Sequence, residues 1–190
     1  MAFLDWFGAV PVLRTPRLVL RPFCCDDMDA YLRFFTLPAV QQYLGGLKWP
    51  RNEKEQRQWV DNINGRCLKN KLVFTWCVEE AASGAVVGRI DLGGFVRRSM
   101  ADLAYYFAPE HWGQGLATET AAAVVRFGLE ELGLHRIQAT VKPENPASVR
   151  VLEKSGFQRE GLLREYDFGN EFHDVYLYAL LQMDGEKGNE

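Results

Sequence analysis

Residues 102–118 read Asp102-Leu-Ala-Tyr-Tyr-Phe-Ala-Pro109-Glu-His-Trp112-Gly-Gln-Gly115-Leu-Ala-Thr118. A strand pattern rich in apolar and aromatic residues ends at Pro109, a turn holding two glycines follows, and a helix pattern opens at about Thr118. The first turn of a helix leaves several N–H groups without partners and sits at the positive end of the helix dipole. Gly113 and Gly115 lack the Cβ atoms that would hold an anion away from that backbone. The expected product is a phosphate cradle made by the main chain rather than by basic side chains.

Other readings of the turn compete. A strand-to-helix turn can carry two glycines for geometry alone. Gly113-x-Gly115-x-x-Thr118 is close to the Gly-x-Gly-x-x-Gly of dinucleotide folds. Such folds place it after the first strand, with a ribose-binding acid about 20 residues later. Here several strands precede the turn, and Gln138 lies where that acid is sought. A P-loop needs Gly-Lys-Ser/Thr, which the chain lacks.

Outward from the turn, Ala121, Val124, Val125, Gly128 and Leu132 share one face of a long helix stopped by Gly133. Ile137, Ala139 and Val141 alternate as a short strand. Residues 146–155 form a helix ended by Gly156, and strands near 157–163 and 175–182 close the chain. Upstream, Leu72, Phe74, Trp76 and Val78 alternate, Ser83-Gly84 turns, and residues 86–92 return as a hairpin that Gly93-Gly94 breaks. Asn52, with Glu55 as capping-box partner, opens a helix whose inner face carries Trp59 and Ile63. Asp26 caps a helix with Met28, Tyr31, Leu32 and Phe35 on its apolar face. Residues 17–22 alternate around Leu18 and Leu20 as a first strand. The predicted order is β-α-α-β-β-β-α-β-α-β-β, a mixed α/β (α+β) fold.

Length and composition set the bounds. The 190 residues suffice for one well-buried domain. Apolar residues are 47% and charged residues 25%, which argues against disorder. A net charge of −3 supplies no basic face for DNA or RNA, so no nucleic-acid partner is expected. Cys24, Cys25, Cys67 and Cys77 form no C-x-x-C pair and do not space with the histidines as zinc ligands do, so no metal is expected. Adjacent Cys24 and Cys25 do not bridge without strain, and all four read as reduced, mostly buried thiols of a cytoplasmic protein. The opening Met1-Ala-Phe-Leu-Asp5-Trp-Phe7 is apolar but short, acidic and without a basic flank, unlike a signal peptide or a membrane span. It reads as an arm, residues 1–12, packed on the domain or on a partner subunit. The core spans about 15–182, and the polar tail 184–190 reads as frayed.

The chain resembles the GNAT superfamily of N-acetyltransferases, and within it the branch of ribosomal-protein N-terminal acetyltransferases. That family's pyrophosphate turn reads Gln/Arg-x-x-Gly-x-Gly/Ala. Trp112-Gly-Gln-Gly115-Leu-Ala117 matches its last two positions and departs at the first. The branch form, Tyr-Trp-Gly-Lys-Gly-Tyr-Ala-Thr-Glu, is similar to residues 111–119 throughout. Thr15-Pro-Arg-Leu-Val-Leu-Arg-Pro22 looks like the branch's first strand. Asn145-Pro-Ala-Ser148-Val-Arg-Val-Leu152-Glu-Lys-Ser-Gly156-Phe157 looks like its Asn-x-x-Ser helix. Gly161-x-x-Arg164-Glu165 and Asp174-Val-x-x-Tyr-x-Leu-Leu181 look like its closing strands.

The resemblance implies acetyl-CoA as co-substrate and an amine as acceptor, a peptide N-terminus or a small molecule. It implies that the main chain of Trp112, Gly113, Gln114, Gly115, Leu116, Ala117 and Thr118 holds the pyrophosphate. Tyr106, Phe107 and Ala108 would pair with the pantetheine arm like an added strand, with the Phe107 N–H polarising the thioester carbonyl. The side chains of residues 105–107 read as strand packing. Asn145 and Ser148 share a helix face, where the plain reading is capping. The family implies that Asn145 orients the arm and Ser148 bonds the sulfur. Many members carry a Tyr four residues after that Ser; here it is Leu152. Asp102 stands where the branch often has a Glu and is the expected base, with Asp174, Glu165 and His173 as alternatives. Lone His111 and His135 read as surface or capping groups. Trp49, Trp59, Tyr166 and His173 are candidates for the acceptor pocket. A homodimer is plausible for the family, with the N-terminal arm contributing. The alternative of a different class is a non-catalytic acyl-CoA sensor or assembly module, which Leu152 favours.

Overall fold

A computed structural model describes residues 3–44, 48–167 and 171–183. The tail read as frayed, 184–190, lies outside the described residues. Eight strands form one sheet, in the order β1-β2-β3-β4-β5-β6-β8-β7. They are β1 (Leu13–Arg14), β2 (Leu18–Arg21), β3 (Val73–Glu80), β4 (Val86–Val96), β5 (Met100–Phe107), β6 (Arg136–Val141), β7 (Gln158–Asp167) and β8 (Phe172–Leu181). Helices α1 (Met28–Phe35), α2 (Pro38–Gln41) and α3 (Glu53–Asp61) precede β3, while α4 (Leu116–Arg126) and α5 (Pro146–Lys154) flank β6. Wider helical turns extend α3 over Asn62–Cys67 and α4 over Phe127–Glu131. Among the described residues no helix is long and apolar enough to cross a membrane.

Strand alternation sorts the core into two layers. Phe74, Trp76 and Val78 of β3 are fully buried with Ala121, Val124 and Ile137 on the α4 side. Cys77 points the other way, among Phe23, Met28, Tyr31 and Phe35 of the α1–α3 side. The N-terminal arm packs on its own domain. Phe7 meets Phe74 at 4.6 Å between ring centroids, and Trp6 stands edge-on to Phe127 at 5.1 Å.

The predicted order holds, with local corrections. Two elements too short to leave a periodic signal, β1 and α2, are added. Gly93-Gly94 does not end its strand: β4 continues to Val96 through a register shift, and the flexible pair absorbs the bulge. Asp26 is not the cap. Residues Cys25–Asp27 make a short 3-10 turn, and the Asp27 carboxylate accepts the Cys24 N–H at 2.8 Å. Asn52 caps α3 as expected, accepting the Glu55 N–H at 3.0 Å, whereas the Glu55 carboxylate reaches the Arg51 N–H. Only Cys77 of the four thiols is buried; Cys24 and Cys25 are exposed, because the turn before α1 faces solvent.

One sheet feature sets up everything that follows. The pair β5–β6 is parallel, whereas every other neighbouring pair is antiparallel. Its register covers only Met100↔Arg136, Ala101↔Ile137 and Asp102↔Gln138. Both strands continue, to Phe107 and Val141, without pairing to each other, each still held by its other neighbour. A wedge therefore opens in the middle of the sheet.

Candidate active site

The wedge leads into a cavity of about 740 Å³. Its walls are residues 102–107 of β5, residues 139–141 of β6, the first turn of α4 and one side of α5. A volume of this order suits a sizeable organic ligand.

The turn after β5 closes one end. Pro109–His111 form a short 3-10 turn, and the Trp112 indole N–H donates to the Phe107 carbonyl at 2.8 Å. That bond ties the turn back to the end of its strand, which accounts for an aromatic residue where the family pattern has a polar one. Gly113 and Gly115 both adopt left-handed backbone, with φ of 76° and 77°. Gly115 is the N-cap of α4, and no side chain caps the first turn. The N–H groups of Leu116, Ala117 and Thr118 thus lack intrahelical acceptors and sit at the dipole's positive end. The helix begins at Leu116, two residues before the expected start, because left-handed Gly115 already turns the chain into it.

The edge of β5 is polar toward the wedge. The Ala108 N–H donates to the Val87 carbonyl at 2.9 Å, so Ala108 faces β4. Strand alternation then turns the Tyr106 peptide groups to β4 as well and aims the N–H groups of Tyr105 and Phe107 into the wedge. Tyr106, Phe107, Trp112, Gly113, Gly115, Leu116, Ala117, Thr118, Asn145 and Ser148 all line the cavity. Ala108 and Gln114 do not. The Gln114 side chain instead donates to the Glu110 carbonyl at 3.0 Å.

On α5, Asn145 is the N-cap: its Oδ1 accepts the Ser148 N–H at 3.1 Å. The capping reading is thus correct, and the same residue also borders the cavity. Ser148 has a partner that sequence reasoning missed. Its Oγ lies 2.8 Å from the Tyr105 hydroxyl, which also donates to the Ser148 carbonyl at 3.2 Å. Tyr105 is therefore more than strand packing. Burial pushes its pKa up, against the smaller opposing effect of the Ser148 bond, so the phenol keeps its proton. Alternation offered a signal, since it sends Tyr105 to the α4–α5 face and Tyr106 to the other. Leu152 is buried at 1% exposure and offers no polar group.

Asp102 lies at the apex of the wedge, the last residue of β5 paired with β6. Its Oδ1 accepts from the Gln138 amide at 2.8 Å. The residue is exposed, but partial loss of water around the carboxyl group raises its pKa, outweighing Gln138 and Arg136. Being three residues from Tyr105, it projects from the opposite face of the strand.

The remaining candidates scatter. Tyr166 and His111 line the cavity. Trp49 and Trp59 line a separate hollow of about 130 Å³ with Tyr31, Phe35 and Arg89. There the Arg89 guanidinium lies over the Trp59 ring and pairs with Asp91 at 2.9 Å. His173 pairs with Glu171 at 3.0 Å, and the Asp174 carboxylate accepts the Glu165 N–H at 3.0 Å. His135 lies on the surface.

Residues 17–158 match the family model described as an acetyltransferase (GNAT) domain. The chain is 32% identical over 176 residues to the uncharacterised N-acetyltransferase YoaA of Bacillus subtilis, covering 90% of this chain and 97% of that one. It is 31% identical over 135 residues to the ribosomal-protein-serine acetyltransferase of Escherichia coli, covering 70% and 75%. A solved GNAT-family acetyltransferase from Bacillus anthracis shares the fold with a TM-score of 0.79 at 30% identity, over 91% of this chain and 99% of that one. Sequence, sheet topology and the glycine turn agree, and the chain belongs to the GNAT family of N-acetyltransferases, which move an acetyl group from acetyl-CoA to an amine.

Proposed function

We propose that this enzyme binds acetyl-CoA along the β5–β6 wedge and passes the acetyl group by direct attack to a single primary amine, on a peptide N-terminus or a small molecule. The observation that carries the proposal is the wedge itself: unpaired main-chain donors on one side, a glycine turn at a helix N-terminus on the other. When bound, the thioester supplies the electrophilic carbon. The N–H groups of residues 113–118 hold the pyrophosphate, that of Trp112 being taken by the Pro109 carbonyl, and Asn145 borders the arm. The Phe107 N–H faces the thioester oxygen and stabilises the charge that develops there. Asp102 takes the proton from the incoming ammonium. Ser148, held by Tyr105, donates a hydrogen bond to the departing sulfur on the other face of the strand.

The charges along the cavity limit the acceptor. Asp102 and Asp167 are the carboxylates among its described lining residues, against Lys142, Arg150 and Lys154. That balance suits an anionic donor and a one-amine acceptor better than a polyamine, which wants several carboxylates. Free thiols at all four cysteines support a reducing, cytoplasmic setting.

Calorimetric titration of acetyl-CoA, with NAD as the competing ligand, tests the proposal. Saturable binding that is lost in Gly115→Val supports it, because a β-branched residue cannot hold the left-handed turn. Failure to bind acetyl-CoA, or binding of NAD instead, would refute it. Binding without thiol release above background across a panel of amines would favour the sensor over the enzyme; the Tyr105–Ser148 bond argues against that outcome.

A further inference from the structure

We propose that Arg17 and Glu119 form a brace that fixes the shape of the phosphate-binding turn from outside the cavity. Both are positioning residues; the proposal rests on the reading that this turn binds the pyrophosphate of acetyl-CoA.

The brace joins two motifs 104 positions apart at Thr15 and Glu119. Glu119 stands in the first turn of α4. Its Oε1 accepts from the Thr15 hydroxyl at 2.6 Å and from the Arg17 N–H at 3.0 Å, and its Oε2 accepts from Arg17 Nε at 2.6 Å. Arg17 then reaches on. Its Nη1 donates to the Gln114 carbonyl at 3.0 Å, and its Nη2 lies 3.7 Å from where a Cβ on Gly115 would be. Arg17 does not line the cavity.

Two physical needs meet here. A turn with two left-handed glycines is soft, and recognition by main-chain N–H groups requires those groups to stay aimed. Trp112 anchors the turn at its start; Arg17 anchors it at Gln114, between the glycines. The second need is electrostatic. A carboxylate in the first turn suits the helix dipole but repels any anion held at the same N-terminus. The Arg17 guanidinium cancels that charge. With the Arg17 side chain 49% accessible, its charge attraction to the largely shielded Glu119, 17% accessible, adds little to folding, and the role of the pair lies in the turn.

The test compares two donors, acetyl-CoA and S-acetylpantetheine, the second lacking the pyrophosphate. Arg17→Ala is expected to weaken acetyl-CoA binding by about tenfold, the effect of one charge-assisted hydrogen bond. Its kcat/KM with S-acetylpantetheine should match that of the unmodified enzyme. Arg17→Gln, which keeps the stem, should show the same split if Arg17→Ala folds poorly. Adding Glu119→Gln to Arg17→Ala should recover part of the affinity by removing the uncancelled charge. Equal losses with both donors, or unchanged acetyl-CoA affinity, would overturn the brace. An unmodified enzyme that binds no acetyl-CoA would instead overturn the reading of the turn, and the brace with it.

Discussion

Replacing Tyr105 with Phe deletes one oxygen atom from the centre of the proposed mechanism. The hydroxyl lies 2.8 Å from Ser148 Oγ, with its ring packed against the α4-side core. In the proposed mechanism the single Tyr105 proton turns from the Ser148 carbonyl to Oγ, and the serine proton is then free to point at the departing sulfur. Without it, that serine has no fixed direction. A hydrogen bond to a charged group contributes about 1.5–3 kcal/mol. At roughly 1.36 kcal/mol per tenfold in rate, Tyr105→Phe should lower kcat by about 10- to 150-fold. The KM for acetyl-CoA should hardly move, since the proposed binding mode holds the donor by main chain elsewhere. Single-turnover thiol release is the assay of choice, because it isolates the chemical step from product release. Ser148→Ala should lose as much, and the double variant little more, since both changes remove one shared interaction. A kcat within about twofold of the unmodified enzyme would refute the reasoning. So would a double variant whose loss is the product of the two single losses.

Two further outcomes follow from the charged groups. As the proposed base Asp102 must be ionised, and partial desolvation of its carboxyl group raises its pKa, so activity should fail on acidification at a pH above the ordinary aspartate range. Asp102→Asn should lower the rate and abolish that acidic limb of the pH–rate profile. Asp27, by contrast, is buried, which acts to raise its pKa, but Arg21 at 2.7 Å and the Cys24 N–H prevail and lower it. Its stabilising effect is therefore fully present above the ordinary value of 3.8 and lost as pH falls through the lowered folded value. Asp27→Ala should cost about 3 kcal/mol at pH 7, by leaving Arg21 without its buried partner, and less at pH 3. Urea unfolding at the two pH values measures the difference; equal losses would contradict it.

What the sequence disclosed and what it hid divide along physical lines. Strands such as β3 and helices such as α4 were legible because each must bury one face, and burial imposes a period. The geometry of the glycine turn was legible because it lies within one short segment. The bulge at Gly93-Gly94 was read as a break, since a glycine pair signals a disruption without saying whether pairing resumes beyond it. Cys24 and Cys25 were read as buried because thiols usually are, whereas the packing of α1 leaves them outside. Tyr105 and Ser148 meet across 43 positions, a pairing that only the placement of α5 over β5 creates. The wedge was hidden for a similar reason: nothing in β5 or β6 alone says where their ladder stops.

That short ladder also bears on how the molecule comes apart. Strands β1–β5 and the trio β6-β8-β7 share one sheet, yet three register positions join them. Within each half every neighbouring pair is antiparallel, and the shared hydrophobic core rather than the ladder joins the two. On the proposed binding mode, a donor lying in the wedge would take the place of the missing rungs and tie one half to the other, so that substrate would double as structure. The free protein should open along the seam more readily than it unfolds as a whole, and the loaded protein should melt as one unit, its cooperativity set by the supply of its own acetyl donor.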